Sequence, residues 1–333
     1  RFLGDQAIAR GWNVVVDAPP TGKRVLVVGS GPCGISAAYH LRRMGHEVVI
    51  LEAESELGGM MRYGIPQYRL PRSVLDAEIS RVTALGITVQ TNTRVDDLNA
   101  TIRTHAADAV FLAVGAQVGR HADIPAGDSA RILDAIDLLH HTNTEAAQPQ
   151  IGRRVAVYGG GNTAMDAART AKRLGAIETV VIYRRDEAHM PAHADDRDAA
   201  LAEGVQMRWL STITAADGQT ITVEKMSLDN SGIPQPTGEF EQLDADTVIL
   251  ALGQQVDLRM LDAVDGVETD HGAVVVGPDQ MTGRAGVFAG GDMTVGERTA
   301  TTAIGYGKRA AGQIDAWLRG ASFTHTPATP LAG

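Results

Sequence analysis

Short apolar runs alternate with stretches of helical spacing along most of the chain, which is the order typical of an α/β protein. In the first part of the chain the segments at 25–28, 47–51 and 109–115 are mostly apolar, whereas 87–91 alternates apolar and polar residues, and both patterns are typical of strands. We expect Ser73 to cap a helix, with Asp76 at the capping-box position three residues later. The pattern predicts strands at 25–28, 47–51, 87–91 and 109–115, with helices at 35–41 and 73–85.

The same order recurs in the second half. An apolar run at 155–158 is followed by helical spacing at 165–174 and by another apolar run at 179–183. The recurrence predicts two dinucleotide-binding, Rossmann-like domains in an α/β fold. Beyond them the pattern predicts an antiparallel meander at 220–227 and 239–243, strands at 246–252 and 286–289, and a last helix from Thr299.

Two small-residue crossings resemble each other and bear on the domain order. Ala113 and Gly115 end one apolar run, and Ala251 and Gly253 end a near copy of it. A chain that leaves one domain and later returns to it would cross twice in this way. We therefore expect the second domain to be inserted into the first.

The first helix begins in a glycine-rich turn at 29–34. Gly29 allows a sharp turn, Gly31 lacks the Cβ that would block a pyrophosphate, and Gly34 lets the helix lie close to the strand. A phosphate would then sit on the helix N-terminus. Eighteen residues after Gly34 the next apolar run ends in Glu52, where a dinucleotide fold places an acid on the adenosine ribose.

The second turn differs from the first at its ribose end. Gly159, Gly161 and Ala164 take the three small positions, but the following run ends in Arg184 and Arg185. Two guanidinium groups in place of a carboxylate favour a 2′-phosphate, and hence NADPH over NADH. The alternative is a solvated arginine pair.

Three further groups of residues are candidates for binding a flavin nucleotide. The doublet Gly58 and Gly59 follows Glu52 and would let backbone approach a cofactor. Asp292 follows Gly290 and Gly291 and could accept hydrogen bonds from a ribityl chain. The predicted last helix offers N–H groups at Thr302 and Ala303, and a positive dipole end, to the anionic edge of a reduced flavin.

Composition narrows the function. The 333 residues carry a formal net charge of −10, which argues against a nucleic-acid binder, and no apolar run approaches the length of a membrane span.

The single cysteine, Cys33, excludes an internal disulfide and an iron–sulfur cluster held by this chain alone, and we expect it to be a buried packing residue. With no signal peptide at the start, a cytoplasmic location is expected. His189 and His193 are four residues apart, but Pro191 lies between them, so no metal site is predicted.

Taken together, these residues resemble the small-subunit family of glutamate synthase, the NADPH-dependent FAD oxidoreductases, and the similar module of dihydropyrimidine dehydrogenase and NADPH:ferredoxin oxidoreductases. The similarity covers nearly the whole chain. Members of that family commonly carry an upstream cysteine-rich segment for iron–sulfur clusters, which is not found here. The most specific motifs are Gly64-Ile-Pro-Gln-Tyr-Arg-Leu-Pro71, Gly159-Gly-Gly-Asn-Thr-Ala-Met-Asp166, Tyr183-Arg-Arg185, Met190-Pro-Ala192 and Ala289-Gly-Gly-Asp292.

The resemblance implies a set of cofactor contacts. It implies FAD contacts along 29–34, including Ser30 and Pro32, and at Glu52, Gly59, Arg69, Val95, Asp292 and Thr302. It implies NADPH contacts at Asn162, Thr163, Arg184, Arg185 and the crossing at 251–253. The expected domains are an N-terminal helix and linker at 1–22, an FAD-binding domain at 23–120 and 255–320, an NADPH-binding domain at 121–254, and a loose tail at 321–333.

The leading hypothesis is hydride transfer from NADPH to FAD, followed by delivery of electrons to a partner protein or iron–sulfur acceptor. This chemistry needs no general acid or base for the hydride step, so no catalytic residue is assigned. A thioredoxin-reductase-like enzyme would need a cysteine pair. A self-contained flavin reductase, oxidase or monooxygenase, and a non-catalytic FAD-binding assembly subunit, remain as alternatives.

Overall fold

The computed structural model describes residues 2–12, 15–16, 18–120, 122, 124–126, 131–144 and 149–321. The chain divides into two compact units. The second is inserted into the first, and both are built on parallel sheets, so the predicted fold class is confirmed. The predicted tail lies outside the described residues except for Ala321. The first unit comprises Arg1–Arg62, Gln67–Gln117 and Gln255–Gly333, and the second comprises Tyr63–Pro66 and Val118–Gln254.

The described elements follow one another as helix-and-strand repeats, with three short 3₁₀ segments at Glu187–His189, Arg259–Leu261 and Gly291–Met293. The helices are α1 (Phe2–Ala9), α2 (Pro32–Arg43), α3 (Met60–Tyr63), α4 (Arg72–Thr83), α5 (Leu98–His105), α6 (Ala135–Asn143), α7 (Asn162–Arg173), α8 (Ala194–Ala202) and α9 (Ala300–Leu318). The strands are β1 (Arg24–Val28), β2 (Glu47–Leu51), β3 (Thr88–Gln90), β4 (Ala109–Leu112), β5 (Val118–Gly119), β6 (Arg131–Asp134), β7 (Arg154–Tyr158), β8 (Glu178–Ile182), β9 (Gln206–Arg208), β10 (Ser211–Ala216), β11 (Thr220–Leu228), β12 (Pro234–Asp244), β13 (Thr247–Leu250), β14 (Gln254–Gln255), β15 (Thr269–Asp270), β16 (Ala273–Val274) and β17 (Val287–Ala289).

The two large sheets share the order of four strands and differ in the chain position of the edge strand. The edge strand β17 follows the other four strands of the first sheet along the chain, whereas the edge strand β6 precedes the other four strands of the second. The first unit orders its parallel strands β17-β4-β1-β2-β3, and the second orders them β6-β13-β7-β8-β9. In each sheet the strand that precedes the glycine turn, β1 or β7, is central. Because the carboxyl ends of parallel strands share one edge, each glycine turn lies at the edge where doubly wound folds bind ligands.

Burial on both faces explains why the central strands read as continuous apolar runs. One face of the first sheet packs on α2 and α9, where Phe111 and Phe288 are fully buried, and the other face buries Leu98 of α5. In the second unit, α7 packs on one face through Met165 and its neighbouring alanines. The other face is covered by the antiparallel sheet β10-β11-β12 through Ile221 and Val223.

Several local predictions need correction. Helix α4 begins at Arg72 after an N-cap Pro71, and no side chain caps it, so the predicted Ser73 cap is wrong. Asp76 pairs with Arg62 instead. Strand β10 was not predicted because Ser211 to Ala216 alternates only weakly in hydrophobicity. Among the described helices, none combines the length and the apolar character that crossing a bilayer requires.

Candidate functional site

The first glycine turn has the geometry that its sequence predicted. Gly29 has φ +98°, and a Cβ built there would lie 2.5 Å from the carbonyl oxygen of Ala113. A Cβ on Gly34 would overlap the carbonyl oxygen of Gly29, so both positions need glycine to bring helix, strand and crossing together. A Cβ on Gly31 would meet nothing within 4 Å. The space over Gly31 is therefore open, as a pyrophosphate requires, and we name the turn 29–34 the first cradle.

Helix α2 begins at this opening. Its N-cap is Gly31 and its first residue is Pro32, and no side chain caps it. Side chains cap α5, α6 and α9, whereas α4 and α8 have no side-chain cap either. A helix that starts without a side-chain cap leaves backbone N–H groups for an anion.

Glu52 lies buried against the first cradle, with 5% of its surface exposed. Its Oε2 accepts hydrogen bonds from the backbone N–H of Ser30 at 2.9 Å and from the Ser30 hydroxyl at 2.5 Å. Its Oε1 accepts from the N–H of Glu54 at 2.9 Å. A carboxylate has about four acceptor positions, so capacity remains for a ribose hydroxyl. Glu52 thus ties the turn to the end of β2 in addition to any role toward a ligand.

The glycine doublet after Glu52 lies on the first cradle. Gly58 donates its N–H to the carbonyl oxygen of Ser30 at 3.1 Å. Gly59 has φ +50°, and a Cβ there would lie 2.8 Å from the Cα of Gly31. The close approach of two backbones explains why glycine stands at position 59.

The second turn, at 159–164, repeats this geometry, and we name it the second cradle. Gly159 has φ +146°, and a Cβ built there would overlap the carbonyl oxygen of Ala251. This matches the close approach of Gly29 to the carbonyl oxygen of Ala113 in the first cradle. A Cβ on Gly161 would again meet nothing within 4 Å. Gly161 is the N-cap of α7, which has no side-chain cap, and Ala164 is fully buried in the third small position. The chain therefore builds the same open glycine turn twice.

The two cradles differ at the residue that follows the second strand of each unit, although not at the position that the sequence indicated. Gly29 donates its N–H to Leu51 at 2.8 Å, and Gly159 donates to Ile182 at 3.0 Å. The residue after each acceptor is Glu52 in the first unit and Tyr183 in the second. Tyr183 therefore occupies the register position of Glu52, and the arginine pair follows one residue later. The aromatic ring of Tyr183 fills the space beside Gly160, where a Cβ would overlap it.

Tyr183 and the arginine pair form the outer end of the second cradle. The Tyr183 hydroxyl donates to the carbonyl oxygen of His189 at 2.9 Å, and burial raises its pKa against the opposing charge of Arg185 and Arg184. Arg184 is exposed. Arg185 is half-buried, and its Nε is buried without a hydrogen-bond partner among the described residues. An arginine with unused donors fits an anionic group such as a 2′-phosphate.

The loop after the arginine pair closes against the second cradle. Ala192 donates its N–H to the carbonyl oxygen of Gly160 at 3.0 Å, as Gly58 does to Ser30 in the first unit. The side-chain oxygen of Asn162 accepts the N–H of His193 at 2.9 Å. Part of the hydrogen-bonding capacity of Asn162 is thus used within the protein, while Thr163 remains partly exposed on the first turn of α7. Residue patterns alone gave Met190-Pro-Ala192 no role, and only the family motif pointed to it.

The carboxyl edge of β17 carries Asp292. Gly290 donates its N–H to Leu112 at 3.1 Å, which places it beside the crossing at Ala113. Gly291 has φ +74°, and a Cβ there would lie 2.9 Å from the Cβ of Cys33. Burial raises the pKa of Asp292 above its ordinary value, and the positive charge of Arg298 opposes that rise.

The start of α9 differs from expectation. Thr299 caps the helix, and its Oγ1 accepts the N–H of Thr302 at 3.1 Å. The N–H of Ala303 donates to the carbonyl oxygen of Thr299 at 2.9 Å. Both N–H groups are thus engaged within the cap, and a contact of this helix start with a ligand stays a prediction. The Thr302 side chain is partly exposed, whereas Ala303 is buried.

The remaining predicted residues lie at separate places. Arg69 is exposed, and Val95 is buried on the face of the first sheet that α5 covers. Gly115 has φ +71° with open space where a Cβ would be. In the second unit, Gly253 has φ +108° and accepts the N–H of Arg120 at 3.0 Å, which places the entering and leaving chains of that unit side by side.

Arg72 was not predicted to matter, yet it closes the loop that carries Arg69. Its guanidinium donates to the carbonyl oxygens of Met61 at 3.2 Å, Leu70 at 3.1 Å and Arg62. Burial lowers its pKa, and the nearby Arg62 lowers it further. No periodic pattern marks such a clamp, because its partners are backbone carbonyls brought together by the fold.

Cys33 is buried, with 4% of its surface exposed, which confirms the prediction of a packing role. Burial raises the pKa of its thiol, and the carboxylate of Asp292 raises it further. A thiol held protonated is a poor nucleophile. Elsewhere in the described chain, no group of three or more His, Cys, Asp or Glu side chains is placed to hold a metal ion.

Two open glycine cradles, each at the carboxyl edge of a parallel sheet, define a protein with two dinucleotide folds. The comparison with protein families agrees: residues 23–307 match the pyridine nucleotide-disulphide oxidoreductase family. The chain belongs to that family.

Curated relatives include subunits of larger enzymes. The chain is 40% identical over 318 residues to the beta subunit of the NADP(+)-dependent formate dehydrogenase of Moorella thermoacetica, covering 91% of this chain and 45% of the relative. It is 31% identical over 348 residues to the glutamate synthase (NADPH) small chain of Escherichia coli (strain K12), covering 96% and 74%. The predicted resemblance to the glutamate synthase small chain is thus confirmed. The chain spans about half the length of the first of these relatives.

Solved structures share the fold. Mycobacterium tuberculosis FprA in complex with NADPH superposes with a TM-score of 0.73 at 18% identity, covering 89% of this chain and 84% of FprA. At 18% identity the similarity shows the fold alone.

Proposed function

We propose that this chain is the flavoprotein module of an oxidoreductase: the first unit holds FAD, the second receives NADPH, and electrons leave to a partner protein. The observation that carries this proposal is that one open glycine cradle occurs twice, with a buried carboxylate after the second strand of the first unit and an arginine pair directly after Tyr183 in the second. A carboxylate suits ribose hydroxyls, whereas guanidinium groups suit a 2′-phosphate.

The residues of the first unit fit FAD. Gly31 and the uncapped start of α2 would receive the pyrophosphate, and Glu52 has acceptor capacity left for the adenosine ribose. Asp292 would accept hydrogen bonds from the ribityl chain, which would compensate the cost of its burial. Arg69, Val95 and the Thr302 side chain complete the proposed FAD contacts.

The residues of the second unit fit NADPH. Gly161 and the uncapped start of α7 would receive its pyrophosphate, and Arg184 and Arg185 its 2′-phosphate. The two crossings, at Ala113 to Gly115 and at Ala251 to Gly253, bring small residues to the edge of each cradle. Asn162 and Thr163 stand on the first turn of α7, which would place them beside the phosphates.

When bound, FAD supplies a ring system that accepts a hydride from NADPH and passes electrons onward. The chain's own residues bind and orient the two nucleotides, and the hydride step asks none of them for a proton. Delivery to a partner is supported by relatives named as subunits, the formate dehydrogenase beta subunit and the glutamate synthase small chain. With one cysteine in the sequence, we propose that this chain itself holds no iron–sulfur cluster.

The test is anaerobic titration of the FAD-loaded protein with NADPH, followed through the flavin absorbance. The proposal predicts stoichiometric bleaching by NADPH, with NADH much less effective. Unchanged flavin absorbance at saturating NADPH would contradict it and would favour a non-catalytic FAD-binding subunit.

A further inference from the structure

Helices α2 and α9 of the first unit lie side by side and form one continuous outer face. The Ser36 hydroxyl on α2 donates to the carbonyl oxygen of Ile304 on α9 at 2.8 Å. Where the helices cross, a Cβ on Gly307 would overlap the carbonyl oxygen of Cys33. Because the backbones approach so closely, side chains on their outward surfaces are neighbours.

The outer face of this helix pair is basic, although the chain as a whole carries a net charge of −10. Arg43 of α2 and Lys308 and Arg309 of α9 are exposed. Within the part of the chain that the structure describes, none of the three forms an ion pair. The one acid of the two helices, Asp315, is engaged by His46 and Arg319 at 2.9 and 2.8 Å. Three cations are therefore left uncompensated on one face of an acidic protein.

The cations lie close enough to act on one another. Burial lowers the pKa of His40, and the positive charges of Lys308 and Arg43 lower it further. The Arg43 guanidinium lies 5.4 Å from the ring centre of Tyr39, and that of Arg309 lies 4.7 Å from Tyr306. Such stacking holds long side chains in place and reduces the entropy lost on binding.

An apolar residue completes this surface. Ile304 is 47% exposed and lies one helical turn before Lys308. Arginine and tyrosine are enriched in protein-docking surfaces relative to the rest of a protein surface. We define the α2/α9 basic face as His40, Arg43, Ile304, Lys308 and Arg309.

We propose that the α2/α9 basic face docks a small acidic protein that exchanges electrons with the flavin, an inference that rests on the proposed function. Charge complementarity identifies the partner. A compact acidic protein is attracted to the positive charge of the face and repelled by the negative charge of the rest of the molecule, and the two forces together orient it on the face. Nucleic acid and an anionic membrane extend beyond the face, so they would also meet the acidic surface of a protein whose net charge is −10. Both helices start at the proposed FAD site, and Lys308 lies about 12 Å along α9 from its first residue.

The experiment compares two charge reversals of equal size in the FAD-loaded protein. The test variant is Lys308→Glu/Arg309→Glu. The matched control is Arg103→Glu/Arg153→Glu, which reverses two exposed cations outside the face. The probe is a purified acidic ferredoxin, whose binding is measured by calorimetry at low and high salt. Ferricyanide reduction by NADPH is measured on the same preparations, and a Lys308→Gln/Arg309→Gln variant checks the fold.

We expect the unaltered protein to bind the ferredoxin, with an affinity that falls as salt is added. The test variant loses about tenfold or more in affinity, and the control stays within about twofold. Equal losses in both variants, absence of ferredoxin binding, or tighter binding to anionic phospholipid vesicles or duplex DNA would overturn the inference. Ferricyanide reduction without ferredoxin binding refutes the docking face alone, whereas binding without ferricyanide reduction by NADPH refutes the proposed function.

Discussion

Ser30 holds Glu52 by two hydrogen bonds to the same carboxylate oxygen, from its backbone N–H at 2.9 Å and from its hydroxyl at 2.5 Å. This pair links the turn that follows β1 to the residue that follows β2. The side chain expected to contact a ribose is therefore also part of the cradle's own structure. Replacing it affects stability as well as binding.

Glu52→Gln tests that double role. The glutamine amide would bring an NH₂ group against the donors of Ser30 or Glu54 and leave a hydrogen bond unmade. We therefore expect the free energy of unfolding to fall by about 1–3 kcal/mol. FAD affinity should fall as well. Chemical denaturation of the flavin-free protein measures the first effect, and fluorescence titration with FAD the second. Glu47→Gln at the exposed start of β2, where the carboxylate pairs with Arg24, is the control and should cost less than about 1 kcal/mol.

Arg184→Ala/Arg185→Ala tests the preference for the phosphorylated dinucleotide. Losing two charge-assisted contacts should lower kcat/KM for NADPH by about 10- to 100-fold and leave kcat/KM for NADH nearly unchanged. Steady-state rates with both nucleotides provide the comparison within one preparation. Equal loss with the two nucleotides would mean that the arginine pair does not contact a 2′-phosphate.

Asp292→Asn tests whether the buried carboxylate of a proposed FAD-binding residue lowers the stability of the folded protein. Burial raises the pKa of Asp292 in the folded state, so the native protein binds this proton more tightly than the unfolded chain does. Stability is then lost as pH rises from the ordinary aspartate range through the raised pKa, and it stays lost at neutral pH. The variant should therefore melt at a higher temperature than the unaltered protein at pH 7, with the difference shrinking toward pH 4.

The same variant should bind FAD about tenfold more weakly, because a charged acceptor is lost. Melting curves of the flavin-free protein at several pH values, together with FAD titrations, check both effects. Asp265→Asn, an exposed position of the same unit, is the matched control and should change neither. A variant that melts lower at neutral pH would show that Asp292 supports the fold.

Much of this architecture was predictable because glycine turns and apolar strands are local patterns. Gly29 and Gly34, and Gly159 in the second cradle, lie where a Cβ would meet backbone atoms, as their sequence positions predicted. Two close backbone crossings, at Ala113 and Ala251, followed from the same patterns. Such features depend on backbone geometry that a few neighbouring residues determine.

Other features depend on contacts that sequence spacing does not encode. The register of β8 places Tyr183, and not Arg184, level with Glu52. Arg72 acts through three carbonyl oxygens that only the folded loop brings together. Thr302 lies in the first turn of α9, as the sequence predicted. Its N–H donates to the Thr299 hydroxyl because Thr299 is the N-cap, and the sequence pattern did not predict that acceptor.

A segment of four residues was likewise invisible in the sequence. Tyr63–Pro66 belongs to the second unit, although its flanks belong to the first. There Asn143 donates to the carbonyl oxygens of Tyr63 at 3.0 Å and Ile65 at 3.3 Å, and His140 stacks on Tyr63 at 4.7 Å. Long-range amide contacts of this kind leave no periodic trace.

The central claim is that the two open cradles hold different nucleotides, and Gly31→Ala and Gly161→Ala test it most directly. Both substitutions place a methyl group in open space, so the fold should be retained. Calorimetric titration of each flavin-free variant with FAD and with NADP⁺ should show Gly31→Ala losing about tenfold or more in FAD affinity only, and Gly161→Ala a similar loss for NADP⁺ only. Unchanged affinities, or the same loss of both nucleotides in both variants, would contradict the account.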